Sequence, residues 1–197
     1  MFAVGHISLG YLIAKIVQKP LKTRINLPLI FLLSIIPDVD LLIPTLEHRG
    51  ITHSLLVLTI AFVPFFAIYR KNSLPYFAAL IQHSIIGDLP TNGGAQMLWP
   101  LTDHVYGLGI EQYGIHGIAL ELASFLLALA VLVATNDWRT LFQHKISNLL
   151  LVIPSGVILV SMVIGVRVTV PRVLLIPHMV LLAIFAASIF KLVLTKK

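Results

Sequence analysis

The chain has 197 residues, is 58% hydrophobic and only 11% charged, and has a mean hydropathy of +0.97; a soluble domain is roughly 45–50% apolar, so a soluble enzyme is excluded in favour of a polytopic membrane protein. Cysteine is absent, which excludes disulfides and thiolate sites and leaves oxygen and nitrogen to hold any metal. The net charge of +6 calls for no nucleic-acid partner, because membrane topology accounts for it.

Seven apolar segments are expected, at about 2–18, 26–44, 51–69, 74–89, 115–135, 146–166 and 173–194. Several reach the ~18–20 residues that span a bilayer; the first and fourth are short for a full crossing. The first lacks a basic leader and a small-residue cleavage site, so it reads as a retained helix. Pro28 suits the first turn of the second segment, where a missing N–H costs little. Pro64, Pro154 and Pro177 predict kinks. There is no internal repeat. The fold class is an all-α membrane bundle of one domain, 1–197, with residues 1–114 carrying the polar groups and 115–197 supporting them.

With seven crossings, one side holds Lys15, Lys19, Lys22, Arg24, Arg70, Lys71, Arg139, Lys145, Lys191, Lys196 and Lys197, which are 11 of the 14 basic residues. The other side holds Arg49, Arg167 and Arg172. The positive-inside rule makes the first side cytoplasmic, with the N-terminus outside and the C-terminus in the cytoplasm of a multi-pass cell-membrane protein. On that topology His6, Asp38, Asp40, His48, His53, His83, Asp88, His104, His116 and Glu121 all fall at the outer level. Ionisable groups are costly near a bilayer and are functional by default.

In Pro37-Asp38-Val39-Asp40 the proline disfavours helix at Ile36. An extended piece points residues i and i+2 the same way, so Asp38 and Asp40 either grip one ion or bridge two; the bland reading is a pair of helix caps. In His48-Arg49-Gly50-Ile51-Thr52-His53-Ser54, Gly50 permits a tight turn, Thr52 or Ser54 caps the third segment, and the histidines converge by folding. Arg49 either grips a phosphate or carboxylate or snorkels to headgroups. His83 and Asp88 are five apart and cannot share a face of a regular helix, yet both are candidate ligands. His6 lies beside Gly5 and Gly10, small enough for close helix approach. His116 and Glu121 are candidate supporting groups, and His144 and His178 are structural. The long stretch 90–114 carries Trp99, Tyr106 and Tyr113, which suit the bilayer interface, and is expected to cover the site.

Gly5-His6-x3-Gly10, Pro37-Asp38-x-Asp40, His48-Arg49-Gly50-x-Thr52-His53-Ser54, His83-x4-Asp88-x2-Thr91 and then Trp99-Pro100 together resemble the YdjM/YbcI-type inner-membrane proteins, described as metal-dependent hydrolases. That family is distantly similar to the zinc-dependent phospholipase C and single-strand nuclease group. The resemblance covers about the first 100 residues. It implies a metal-dependent hydrolase at the outer membrane face, cleaving a phosphoester of a lipid substrate delivered by lateral diffusion. The expected ligands are His6, Asp38, Asp40, His48, His53, His83 and Asp88. His48, Arg49 and Asp40 are the expected catalytic groups, with Arg49 on the substrate's non-bridging oxygens. So many donors exceed one tetrahedral ion. Two divalent ions are therefore expected, zinc first with manganese or iron as alternatives, and Asp38 or Asp40 as the bridge. The competing reading is a non-catalytic metal-binding membrane protein or transporter. A lipid amidase or protease ranks lower, since His-Glu-x-x-His is absent.

Overall fold

The computed structural model describes residues 1–163 and 169–194. Regular structure among them is helical, with isolated bridges and no strand. The α-helices are α1 (Ala3–Leu21), α2 (Leu27–Ile35), α3 (Leu55–Tyr69), α4 (Leu74–Gln82), α5 (Ile115–Ala134), α6 (Trp138–Leu141), α7 (Val152–Val163) and α8 (Leu175–Leu194). Arg167, Lys196 and Lys197, which enter the expected charge asymmetry, lie outside the described residues.

Four stretches are long and apolar enough to cross a membrane: Leu55–Asp88, Ile115–Ala134, Ile146–Val163 and Arg172–Leu192. The first is a hairpin. It turns at Arg70, where φ is 51°, and Leu58 and Phe62 of α3 then pack on Leu80 of α4. The first two expected segments are helical but are not among the four, because α1 has a different place. It is the central helix, buried along Ala3, Val4, Gly5, His6, Ile7, Ser8, Gly10, Tyr11 and Ala14, with α2, α4 and α5 packed around it. The small residues make this possible: a Cβ at Gly10 would overlap the Ser34 side chain of α2. His6 thereby comes to lie inside protein, where a polar group can find partners that lipid does not offer.

The prolines act differently from the expected kinks. Pro28 does sit in the first turn of α2, behind an Asn26 cap whose side chain accepts from Leu29 N at 3.2 Å. Pro154 and Pro177 are each the third residue of a helix, α7 and α8. A 3₁₀ segment, Ile146–Leu151 or Arg172–Leu174, runs straight into each of these helices, so each proline lies just past a change of winding. Pro64 alone of the three lies well inside its helix. Pro37 ends α2 as expected, but the chain then winds into a 3₁₀ segment, Ile36–Leu42, against which α7 packs.

At the far end of α1, the Lys15 ammonium donates to Asp137 Oδ2 at 2.8 Å and Tyr11 OH donates to the same oxygen at 2.8 Å. Partial burial alone would raise the Asp137 carboxyl. The hydrogen bonds from Lys15, Tyr11 and Thr135 outweigh it and hold the group below its usual value. Stability from this clasp is therefore present above the ordinary carboxylate range and lost as pH falls through the lowered value. Asp137→Asn is expected to cost about 0.5–1 kcal/mol at neutral pH, as for a partly exposed pair. Thermal melts of the variant and parent should converge as the pH is lowered; a gap that widens in acid would contradict this account.

Candidate metal centre

Asp38, on the 3₁₀ segment, faces two imidazoles. His53 Nε2 lies 3.3 Å and His83 Nε2 3.4 Å from its Oδ1. The two Nε2 atoms are 3.2 Å apart, and Asp88 Oδ2 is 3.5 Å from each. An ion bound tetrahedrally at 2.0–2.1 Å requires donor–donor edges of about 3.3–3.4 Å. The five separations match that figure.

The other edge of each ring shows which nitrogen carries the lone pair. His83 Nδ1 donates to the Ser34 carbonyl at 2.8 Å. His53 Nδ1 lies 3.0 Å from Thr52 Oγ1, which itself donates to Asp40 Oδ2 at 3.0 Å. Both Nε2 atoms thus face each other and two carboxylates. Buried groups at this spacing need positive charge among them, as imidazolium protons or as a metal cation. His53, His83, Asp38 and Asp88 are all nearly or fully buried. Among the described residues, Asp88 Oδ2 and both ring nitrogens of His6 have no hydrogen-bond partner. This donor set fits a divalent metal.

The local backbone explains how five-apart residues meet. His83–Asp88 is a π-helix, continued by Leu89 N donating to Ser84 O at 2.9 Å. Its i→i+5 winding brings His83 and Asp88 onto one face, which the regular helix expected from sequence could not do. The same turn needs Gly87: a Cβ there would strike the His6 ring, which stacks on His83 with centroids 3.6 Å apart.

Asp38 and Asp40 do not point the same way, as an extended piece would have them. Three residues per turn in a 3₁₀ helix send them to opposite edges of His53. Asp40 Oδ2 is 3.4 Å from His53 Nδ1, and it also accepts from Arg49 N at 3.2 Å. Asp40 Oδ1 takes His48 Nδ1 at 3.1 Å. Asp40 therefore gathers the 48–53 turn and orients two imidazoles. Residues that orient ligand histidines in this way tune metal affinity.

Arg49, and not Gly50, is the left-handed residue of that turn, with φ of 66°. Its Nη2 donates to Gln112 Oε1 at 2.8 Å and lies 3.4 Å from Asp88 Oδ1, beside the Met1 amino group at 3.5 Å. The guanidinium passes over Gly93, where a Cβ would overlap it. Ser54 caps α3, accepting from Val57 N at 3.3 Å. Its hydroxyl also meets Trp99 O at 2.7 Å. The 89–114 stretch is thereby pinned to the histidine turn, with Gln96 N donating to Arg49 O at 3.0 Å. The Trp99–Pro100 peptide is cis.

The structure thus brings His6, Asp38, Asp40, His48, His53, His83, Asp88 and Arg49 together. Asp40 stands outside the three donor groups whose atoms lie within 4.8 Å of one another: His6–Asp38–His83, Asp38–His48–His53 and His53–His83–Asp88. His104, His116 and His144 are exposed and belong to none of these groups. His178 is buried in α8 and donates to Leu174 O at 2.7 Å, a structural bond. Glu121 is buried beside α1, where Oε1 accepts from Phe2 N at 2.6 Å. Ser34 and Gln112 were not expected: Ser34 acts through its carbonyl, which no side-chain motif marks, and Gln112 is far along the loop.

The chain matches the family described as YdjM inner membrane protein over residues 1–193. No curated protein and no solved structure matches.

Proposed function

We propose that this chain, which belongs to the YdjM inner membrane protein family, is a membrane-embedded hydrolase that binds two divalent ions and cleaves a phosphoester of a lipid substrate at the outer membrane face. The observation that carries the reading is the pair of donor groups sharing Asp38. Asp38 is grouped with His48 and His53 in one and with His6 and His83 in the other. A single tetrahedral ion among His53, His83, Asp38 and Asp88 would leave the His6 nitrogens orphaned, and would have no open position, as in structural sites. Two ions would use His6 and would share out the donors, with Asp38 the carboxylate available to both groups.

Divalent ions held there would act as Lewis acids, lowering the pKa of water and screening charge on a phosphoryl group. The residues supply the rest. Asp40 holds His48 and His53 in position. His48, partly open to solvent, is the candidate to move a proton. Arg49 is fixed by Gln112 and Asp88, and its Nε has no partner, which suits a donor to non-bridging oxygens. Exposed Leu101, Leu108 and Tyr113 around the loop support a site bedded at headgroup depth, open to lipid substrates.

Metal stoichiometry is the first test. Elemental analysis of purified protein should give two ions per chain, zinc before manganese or iron, and the loaded protein should release phosphate-bearing product from a panel of phospholipids. One tightly held ion and no turnover on any phosphoester would support the second reading, a closed, non-catalytic metal site, which the five matched separations favour. Orientation is tested by a cysteine introduced at Asp103, exposed in the loop; Gly94 is avoided because its φ of 52° strains any side chain. An impermeant thiol reagent should label Asp103→Cys in intact cells. Protection would move the centre to the cytoplasmic side.

A further inference from the structure

A second cavity lies at the other end of the helices that carry the metal donors. It has a volume of ≈ 660 Å³ and is lined by Leu29, Leu32 and Leu33 of α2, Phe62, Phe65 and Tyr69 of α3, and Tyr76 of α4, with Arg24, Asn72 and Ser73 at one end. The connectivity fixes where it sits. Arg24 precedes α2, whose other end runs into Asp38. Asn72 lies at the turn between α3 and α4, whose other ends carry Ser54 and His83. α4 packs against both α2 and α3 and forms the floor. Phe65 and Tyr69 are 57% exposed, so the wall between α2 and α3 is open to the side.

The volume falls within the roughly 300–1,000 Å³ of sites that take small molecules. The walls are almost entirely aliphatic and aromatic, whereas the end is basic. Arg24 lines it, and Lys22, Arg70 and Lys71 flank the lining residues in sequence. All four are exposed, and none forms an ion pair among the described residues. Tyr76 OH is already engaged, accepting from Asn26 N at 2.8 Å, and Ser73 Oγ donates to Arg70 O at 2.7 Å. The neutral groups left to meet a ligand are the Tyr76 O–H and the Asn72 amide, and the charge at this end is cationic.

We infer that this cavity binds one anionic phospholipid, an acyl chain lying between α2 and α3 and the phosphate at Arg24. The occupant is a resident of the leaflet opposite the metal centre. Leu58, Phe62 and Leu80, with Leu33 and Ile36 against them, form an apolar cluster between the cavity and the donors. The site is therefore separate from the proposed reaction and does not depend on it.

Native mass spectrometry of the purified full chain in detergent tests this, with phosphatidylglycerol and phosphatidylcholine added separately. One phosphatidylglycerol per chain should be retained, about fivefold more strongly than phosphatidylcholine, the ratio expected from about 1 kcal/mol for one basic residue at an anionic surface. Arg24→Gln, a surface change that leaves the packing intact, should remove the preference. Leu33→Trp, which fills the cavity, should lower retention of both lipids while metal content stays at the parental level. Equal retention of the two lipids by the parent, or an undiminished preference in Arg24→Gln, would overturn the inference. So would a lipid-free dimer in place of the lipid-bound chain, since it would make the cavity an interface between copies.

Discussion

Asp38→Ala is expected to strip the purified protein of metal, from two ions per chain to none, while the helices stay folded in detergent. Asp38 is the carboxylate common to two of the donor groups, and its Oδ1 lies within 3.4 Å of both His53 Nε2 and His83 Nε2. Its loss would remove a donor from both groups at once. Two further substitutions separate the possible arrangements. His6→Ala should lose one of the two ions, because His6 serves only one side. Asp40→Ala should keep both sites but weaken them by about 10–100-fold, the usual loss when the partner of a ligating histidine is removed. Elemental analysis after dialysis against graded chelator measures all three. Full metal retention in Asp38→Ala would falsify the shared centre, and complete loss in Asp40→Ala would make Asp40 a ligand after all.

Chelation should destabilise the protein strongly. Without a metal cation, only imidazole protons can supply positive charge where the two Nε2 atoms face each other at 3.2 Å with carboxylate oxygens 3.3–3.5 Å away. Metal present at a thousand times its dissociation constant stabilises the folded chain by about 4 kcal/mol. For a chain of this size that is about 8–16 °C in Tm. The shift should be restored by adding metal and should be absent in Asp38→Ala. A Tm that does not move, with metal removal verified by elemental analysis, would mean that the four acceptors tolerate one another by some other means.

Much of the centre could be read from residue types because its side chains act by identity. Histidine and aspartate in an apolar chain are conspicuous, and Pro37 marks the break that presents Asp38. The geometry was less legible because it depends on backbone winding. His83 and Asp88 look mismatched until the π-helix rotates them together, and no local signal in His83-Ser84-Ile85-Ile86-Gly87-Asp88 announces that winding. Asp38 and Asp40 look like a pair until 3₁₀ geometry sends them to opposite edges of His53. Gly50 looks like the turn residue, yet Arg49 takes the left-handed conformation. The helical fold followed from hydropathy, but hydropathy cannot rank burial among apolar helices. The place of α1 at the centre rests on Gly5, Gly10 and the neighbours they admit.

That central position bears on how the protein is made. α1 is made before α4, and its partners at His6 are His83 and Asp88, more than seventy residues later. Until α4 emerges, α2 can cover Gly10 but His6 lacks both of those partners. The donors cannot converge before residue 88 is inserted, and α5 must still arrive to cover the Glu121 side. Loading of the proposed metal centre would therefore be a late event in biogenesis. Chains that stop short of residue 88 would leave His6 buried in no complete donor set.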